Sequence, residues 1–464
     1  MYFRRILASA WRSLSASSLL LFVGLSACDP VPETLLEPSG GSLSGYYVVR
    51  ADIAAVGLSV SDVSAVWVGG VRALLPAEDD DGWLSFRVQG APESGPAAVR
   101  FDTSEGRVSL GADFIYAPPH SPHFDRVVAL GASLTMGVMD GVPTFEGVLK
   151  SPTLQTAAAL GAYMPQPLLR PDLFPTLGLD RVGPPPECQT TDVEDFITGA
   201  IPQIMGELAY PDGSGFGYEM GRLDPLLVVR NIGVGGYQLD DVLSGPDNDE
   251  LVQSVLGGFV YAPFMDFGER PEATMMEVVE GLEPTLVVSF DLLGNDLLLG
   301  RSPERIAQYL PAVIDRLAAT GAEVFLADCP NPDILKGSFG GGIPDEDGEE
   351  LALAYNAILA AEAGRYDTIH VVPIKETSDT IRSEGLAVGD SVYNLAMLGG
   401  VLSFDGLHFG DTGYALLADT FVTEINAVLG TDVPTVDIAA VADFDIHTPE
   451  AVRKTGREPA DCWE

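Results

Sequence analysis

Four short stretches of this sequence carry side chains that can do chemistry together. Gly131-Ala132-Ser133-Leu134-Thr135 puts a serine directly after an apolar run. A sharp strand-to-helix turn there would lift the hydroxyl above a sheet, although Thr135 stands where G-x-S-x-G has its second glycine. Asn231-Ile232-Gly233-Val234-Gly235-Gly236 follows a second apolar run, and Gly294-Asn295-Asp296 follows a third. Phe404-Asp405-Gly406-Leu407-His408 stands just before the last long helical pattern. Taken singly, each has a plainer reading: Ser133 as a helix cap, Gly233–Gly236 as a tight turn, Asn295 as a turn residue. A dinucleotide loop does not fit the second stretch, because Gln238 occupies the place of the third glycine of G-x-G-x-x-G. Taken in order, a serine, small and amide-bearing donors, and an acid and histidine on one loop are the parts of nucleophilic acyl transfer.

Those stretches need a scaffold, and the residues between them supply its pattern. Arg126–Leu130, Leu226–Asn231, Thr285–Phe290, Glu323–Ala327 and Thr368–Val372 are apolar runs without alternation, as expected of a parallel sheet buried on both faces. A helix is expected after the third run: Ser302 caps it, Pro303 takes its first turn, Ile306, Leu310, Val313 and Leu317 line one face, and Gly321 ends it. Another begins at Asp411-Thr412 and carries Leu416, Phe421, Ile425 and Leu429. The pattern predicts an α/β domain with helices on both sides of one sheet, its ligand site beyond the carboxyl ends of the strands. Three of the four chemical stretches fall at such ends, and the fourth stands just before the last helix.

Over roughly residues 125–429 the chain resembles the SGNH (GDSL-like) hydrolases. The resemblance implies a three-layer, flavodoxin-like fold with a five-stranded parallel sheet and no cofactor or metal. It maps Ser133 to the nucleophile, Asp405 and His408 to the other triad members, and Gly236 and Asn295 to oxyanion-hole donors beside the Ser133 backbone N–H. Asn231 matches the asparagine that often opens the second block. Ala132 replaces the aspartate of GDSL, Leu293 stands where G-x-N-D has glycine, and Phe409 replaces a proline that often follows the histidine. None of these departures removes a catalytic group. In physical terms His408 would take the serine proton, while Asp405 fixes the imidazole tautomer and stabilises the imidazolium. Donors placed in advance for the oxyanion each matter by about 10²–10³ in rate.

From Ser133 to Gly236 the chain is far longer than the roughly 30 residues of a strand–helix–strand unit. This 134–225 insertion holds Phe145, Leu160, Tyr163-Met164-Pro165, Phe174-Pro175 and Pro184-Pro185-Pro186, and serves either as a lid or acyl-binding wall or simply as cover for the sheet. Within it, Asp140-Gly141 resembles a pair in the larger lipase-like members of the family; its plain reading is a helix-ending turn. A second insertion, Asp333–Glu349, is expected at the surface.

Ahead of this domain the pattern changes. Arg4, Arg5 and Arg12 precede the apolar run Leu19–Leu25, and Leu25-Ser26-Ala27-Cys28 resembles the bacterial lipobox. The run is too short for a bilayer span, which takes about 20 residues, so residues 1–27 read as a signal peptide and Cys28 as the lipidated residue. The expected location is the cell envelope, on a membrane by its lipid. Residues 28–44 form a linker. Short alternating runs at 45–118, among them Val63–Val68, Leu84–Val88 and Val99–Asp102, predict a small all-β sandwich that resembles the IPT/TIG domains and acts as a spacer or a binding module. The catalytic domain is expected over 124–432, with a tail at 433–464. Cys188, Cys329 and Cys462 remain beyond Cys28, and a buried thiol suits Cys329 best; no zinc-type spacing occurs.

Over 464 residues, 25 Lys+Arg stand against 67 Asp+Glu, a net charge of −42. Such a surface repels phosphate backbones, so nucleic acid is not an expected partner. It suits either simple solubility or a salty medium, where salt screens the self-repulsion. Two functional readings follow. One is a lipid-anchored serine esterase or lipase acting on carboxylic esters, with O-acetyl removal from polysaccharides as the second substrate class. The other is a binding or adhesion protein whose hydrolase domain is inactive.

Overall fold

The computed structural model describes residues 35–174, 206, 221–224, 227–245, 260, 273–332, 345–396 and 398–456. Residues 1–34 with Cys28, Cys188, Cys462, half of the 134–225 insertion and most of 333–349 lie outside the described residues.

The first part is built from nine strands: β1 (Leu36–Glu37), β2 (Gly40–Ser42), β3 (Gly45–Ala51), β4 (Val63–Val68), β5 (Val71–Arg72), β6 (Leu74–Glu78), β7 (Leu84–Gln89), β8 (Gly95–Thr103) and β9 (Gly106–Ala117). They form two sheets, β1-β3-β7-β6 and β2-β9-β8-β4-β5. The period-two reading fits β7, where Leu84, Phe86 and Val88 are buried and Ser85, Arg87 and Gln89 half-buried. These side chains meet Val66, Val99, Phe101 and Phe114 of the second sheet in one core.

The second part holds a parallel sheet, β10 (Val127–Ala129), β11 (Leu286–Ser289), β12 (Glu323–Ala327) and β13 (Ile369–Val372), in that order. Its helices are α1 (Ser133–Met136), α2 (Phe145–Leu149), α3 (Pro152–Leu160), α4 (Asp241–Ser244), α5 (Met275–Gly281) and α6 (Gly294–Leu298). They continue with α7 (Pro303–Ala319), α8 (Asp345–Ala363), α9 (Ile374–Glu384), α10 (Asp411–Leu429), α11 (Ile438–Ala442) and α12 (Pro449–Lys454). A small hairpin, β14 (Leu386–Val388) and β15 (Ser391–Tyr393), follows α9. Successive strand residues point to opposite faces. Val128, Val287, Val324 and Leu326 pack with α5, α7 and α8 in one core. Ala129, Leu286, Val288 and Phe325 pack with α3, α9 and α10 in another. The architecture is thus α/β with both faces of the sheet covered. α7 runs as its sequence predicts, with Ser302 at the N-cap, Pro303 in the first turn and Gly321 in the left-handed region just past its end.

Four of the five expected strands form. Of the fifth, Leu226–Asn231, residues 227–231 are described, and they hold one parallel bridge, between Asn231 and Ala129. Two bonds flank it, Ala129 N–H to Arg230 O at 2.9 Å and Ile232 N–H to Ala129 O at 2.9 Å. The reason is competition for backbone donors. Arg230 N–H turns the other way, to Pro165 O at 3.0 Å, and β10 is too short to offer a longer edge.

The two parts touch through Tyr46 of β3. Its ring is buried against Phe145, Val148 and Leu149 of α2, Leu154 of α3 and Leu168, and its hydroxyl accepts the Gln166 N–H at 3.3 Å. Tyr46→Ala should therefore lower stability by about 3–5 kcal/mol. Tyr46→Phe, which keeps the packing, should cost about 1 kcal/mol. Urea unfolding of the two variants checks both figures; equal small losses would mean that the ring does not join the parts.

Candidate active site

Ser133 is the first residue of α1, immediately after β10. Gly131 makes the corner with φ of 147°, and a Cβ there would collide with Thr135 Oγ1 and Asp291 Oδ1. Asp291 was not singled out by its sequence, yet it builds the turn. Its carboxylate accepts the Ala132 N–H at 2.8 Å, the Leu134 N–H at 2.6 Å and the Thr135 hydroxyl at 2.6 Å. Burial pushes this carboxyl up, and the N–H and O–H donors aimed at it work against that. The donors come from residues on both sides of Ser133, and the Ser133 N–H is not among them. Asn231, the other buried support, donates its amide to Thr135 O at 3.0 Å and to Gln166 Oε1 at 2.8 Å. Its role here is to tie the second loop to α1.

Gly236 lies in the left-handed region at φ of 85°, in the turn that Tyr237 N–H closes on Val234 O. Asn295, in the first turn of α6, donates one amide hydrogen to Tyr237 O at 2.7 Å, which fixes Gly236's loop beside it and leaves a second amide hydrogen over. The neighbouring Asp296 is fully buried and accepts the Leu239 N–H at 2.8 Å, with Arg305 Nε 3.9 Å from its other oxygen. Burial pushes the Asp296 carboxyl up to about 6. The Gly-rich loop and the Asn295 helix are therefore stitched together twice.

Asp405 and His408 sit on the loop that leads into α10. His408 Nδ1 is 2.6 Å from Asp405 Oδ2, and both residues are buried. Asp405 also accepts the Leu407 and His408 N–H groups at 2.9 Å, the Ser403 hydroxyl at 3.0 Å and the Gly141 N–H at 2.6 Å. Burial alone would raise this carboxyl. The adjacent imidazole and the N–H donors outweigh burial and hold it well below the ordinary carboxylate range. The other ring nitrogen, His408 Nε2, is buried without a hydrogen-bond partner. Asp140, in the left-handed region at φ of 54°, and Gly141 thus make more than a helix-ending turn: they contact the catalytic-type loop directly.

Ser133, Asn295 and His408 line one open cleft, with no hydrogen bond between the serine and the histidine. Asp405 stands behind the imidazole. Gly236 is not among the cleft's walls but belongs to the loop tethered to Asn295. The remaining walls are mostly apolar, among them Leu293, Leu297, Leu298, Pro330 and Phe409. Cys329 also lines the cleft as a free, buried thiol, pushed up by burial. Among the described residues no cluster of three or more His, Cys, Asp or Glu could hold a metal ion. No helix among them is long and apolar enough to cross a membrane. No family model matches this sequence, and no curated protein matches it, so the site is read from its own geometry.

Proposed function

We propose that this chain is a serine hydrolase of the SGNH type that cleaves carboxylic esters with an apolar acyl or alcohol part, as an esterase or lipase. The observation that carries the reading is the arrangement of His408: one nitrogen is held by Asp405, the other has no hydrogen-bond partner, and the residue lines the same cleft as Ser133. In that arrangement the imidazole takes the Ser133 proton at Nε2 as Oγ bonds to the ester carbonyl carbon. The carbonyl oxygen becomes an oxyanion, received by the Ser133 N–H and the spare Asn295 amide hydrogen; Gly236, outside the cleft's walls, serves through the loop that Asn295 tethers. Return of the proton from Nε2 to the departing alkoxide completes acylation, and water repeats the sequence to free the acid. The finer fold belongs to the same reading: Asn231 on the free edge of β10 marks a fifth strand of a flavodoxin-like sheet. The sandwich is an IPT/TIG-like spacer in this reading.

The direct test uses a fluorophosphonate probe and a series of p-nitrophenyl esters from acetate to palmitate. The expected outcome is one labelled peptide containing Ser133, and turnover that rises beyond acetate before it falls. Best turnover on acetate would move the substrate class toward acetylated glycans. Absence of both label and turnover would remove the enzyme reading and leave a binding protein.

We also propose lipid attachment at Cys28, which places the enzyme on a membrane outside the cytoplasm. Metabolic labelling with a fatty acid should mark the wild type and miss Cys28→Ser. A labelled variant would overturn the anchor.

A further inference from the structure

Residues 445–448 fold back against the loop that carries Asp405 and His408. His447 has no exposed surface, and its ring lies 4.3 Å from that of Phe404. Both ring nitrogens meet carboxylates: Nδ1 is 2.8 Å from Asp445 Oδ1, and Nε2 is 3.1 Å from Asp140 Oδ1. A carboxylate only accepts, so both nitrogens must donate, and the ring must be the imidazolium. Burial opposes that charge, but Asp140 and Asp445 outweigh it and hold the proton well above the ordinary histidine range. Asp445 is itself fixed by the Thr412 N–H at 2.8 Å and hydroxyl at 2.7 Å. The other charged groups packed here are Asp411, at the start of α10, and Lys150, which meets it at 2.6 Å. Gly410 allows the close approach, because a Cβ there would press on the His447 ring.

The other end of this chain of contacts reaches the candidate triad. Asp140 Oδ1 also accepts the Phe404 N–H at 2.8 Å, and the next residue, Gly141, donates to Asp405 Oδ2 at 2.6 Å. That is the oxygen that holds His408 Nδ1. Without a cation between them, Asp140 and Asp445 would be two buried like charges, and the turn between Met139 and Val142 would have to open.

We propose that His447 is a positioning residue for this site: a buried imidazolium that clamps the Asp140–Gly141 turn and, through it, aligns Asp405 with His408. The proposal rests on the reading of Ser133, His408 and Asp405 as a triad. His447 touches no substrate and acts only through Asp140.

The test joins histidine nitrogen NMR with steady-state kinetics. In the wild type and in Ser133→Ala, His447 should keep both ring N–H signals from pH 6 to pH 9; a neutral ring in that range overturns the proposal. His447→Asn should lower kcat at least tenfold with KM within twofold. The same change in a Ser133→Ala background should shift the downfield proton resonance between His408 and Asp405. An unmoved resonance and an unchanged kcat overturn the proposal. If the wild type hydrolyses no ester while that resonance still shifts, the enzyme reading fails and the positioning role stands. Should His447→Asn not fold, Asp140→Asn keeps the acceptor oxygen while removing its charge. It should lower the pH at which His447 loses its second N–H, and no change there counts against the clamp.

Discussion

Ser133→Ala is expected to lower kcat for ester hydrolysis by about 10⁶-fold, with the melting temperature unchanged. The fold should be indifferent because the Ser133 hydroxyl makes none of the bonds that build its turn. Those run from the Ala132 and Leu134 N–H groups and the Thr135 hydroxyl to Asp291. His408→Ala should cost about as much, since an unactivated serine is nearly as poor a nucleophile as none. The two losses should not multiply: the double variant should be little worse than either single one, because the groups act as one unit. Purified variants assayed on the best p-nitrophenyl ester, with circular dichroism beside them, decide the matter. Additive losses would mean that His408 serves some other step, and substantial turnover by Ser133→Ala would remove the nucleophile.

The second large effect is expected at the residue that builds the serine's turn. Asp291→Ala would strand the Ala132 and Leu134 N–H groups and the Thr135 hydroxyl in a buried turn. At about 1–3 kcal/mol for each unsatisfied group, and with some relief from entering water, stability should fall by about 3–5 kcal/mol. That is a large share of the 5–15 kcal/mol typical of a folded chain. The variant molecules that remain folded should lose a further factor of about 10² in kcat, because the nucleophile's turn is no longer fixed. Asp291→Asn should fall between, since one amide oxygen still accepts while the amide N–H groups face backbone donors. Denaturant unfolding and kcat measured on the folded fraction test both halves. A stable and fully active Asp291→Ala would show that the turn holds itself.

How much of this was legible in the sequence depends on where each contact is made. The strands β10 to β13 and the helices α7 and α10 were readable because burial on both faces, or on one stripe, writes itself into local periodicity. Ser133 and Asn295 stood out by following apolar runs, and Asp405 and His408 by sharing one short loop just before a helix. Asp291 and His447 were not: each acts through partners far along the chain, and neither residue type nor spacing marks it. One signal was present for Asp291, an acid two residues past the end of the buried strand β11. The shortened fifth strand was missed for a related reason: its apolar run matches its neighbours, but its backbone donors are claimed by the segment around Pro165. Asp140-Gly141 had the composition of a simple turn, and its second role depends on a loop distant in sequence.

The pairing of β10 with β11, and of Ala132 with Asp291, has a consequence for how the protein is made. Ala132 waits for a carboxylate 159 residues further on, Gly141 for one 264 residues on, and Asp140 for an imidazole 307 residues on. The sandwich, whose strand pairs all lie within residues 36–117, can close once that stretch is complete. The α/β part cannot: until residue 291 is made the Ser133 turn has no carboxylate to shape it, and until residue 408 is made the cleft lacks its histidine. The chain should therefore acquire its order in two stages, an early one at the N-terminal strands and a late one that completes sheet and cleft together. A nascent chain arrested before residue 400 would carry a finished sandwich and an unfinished, chemically silent remainder.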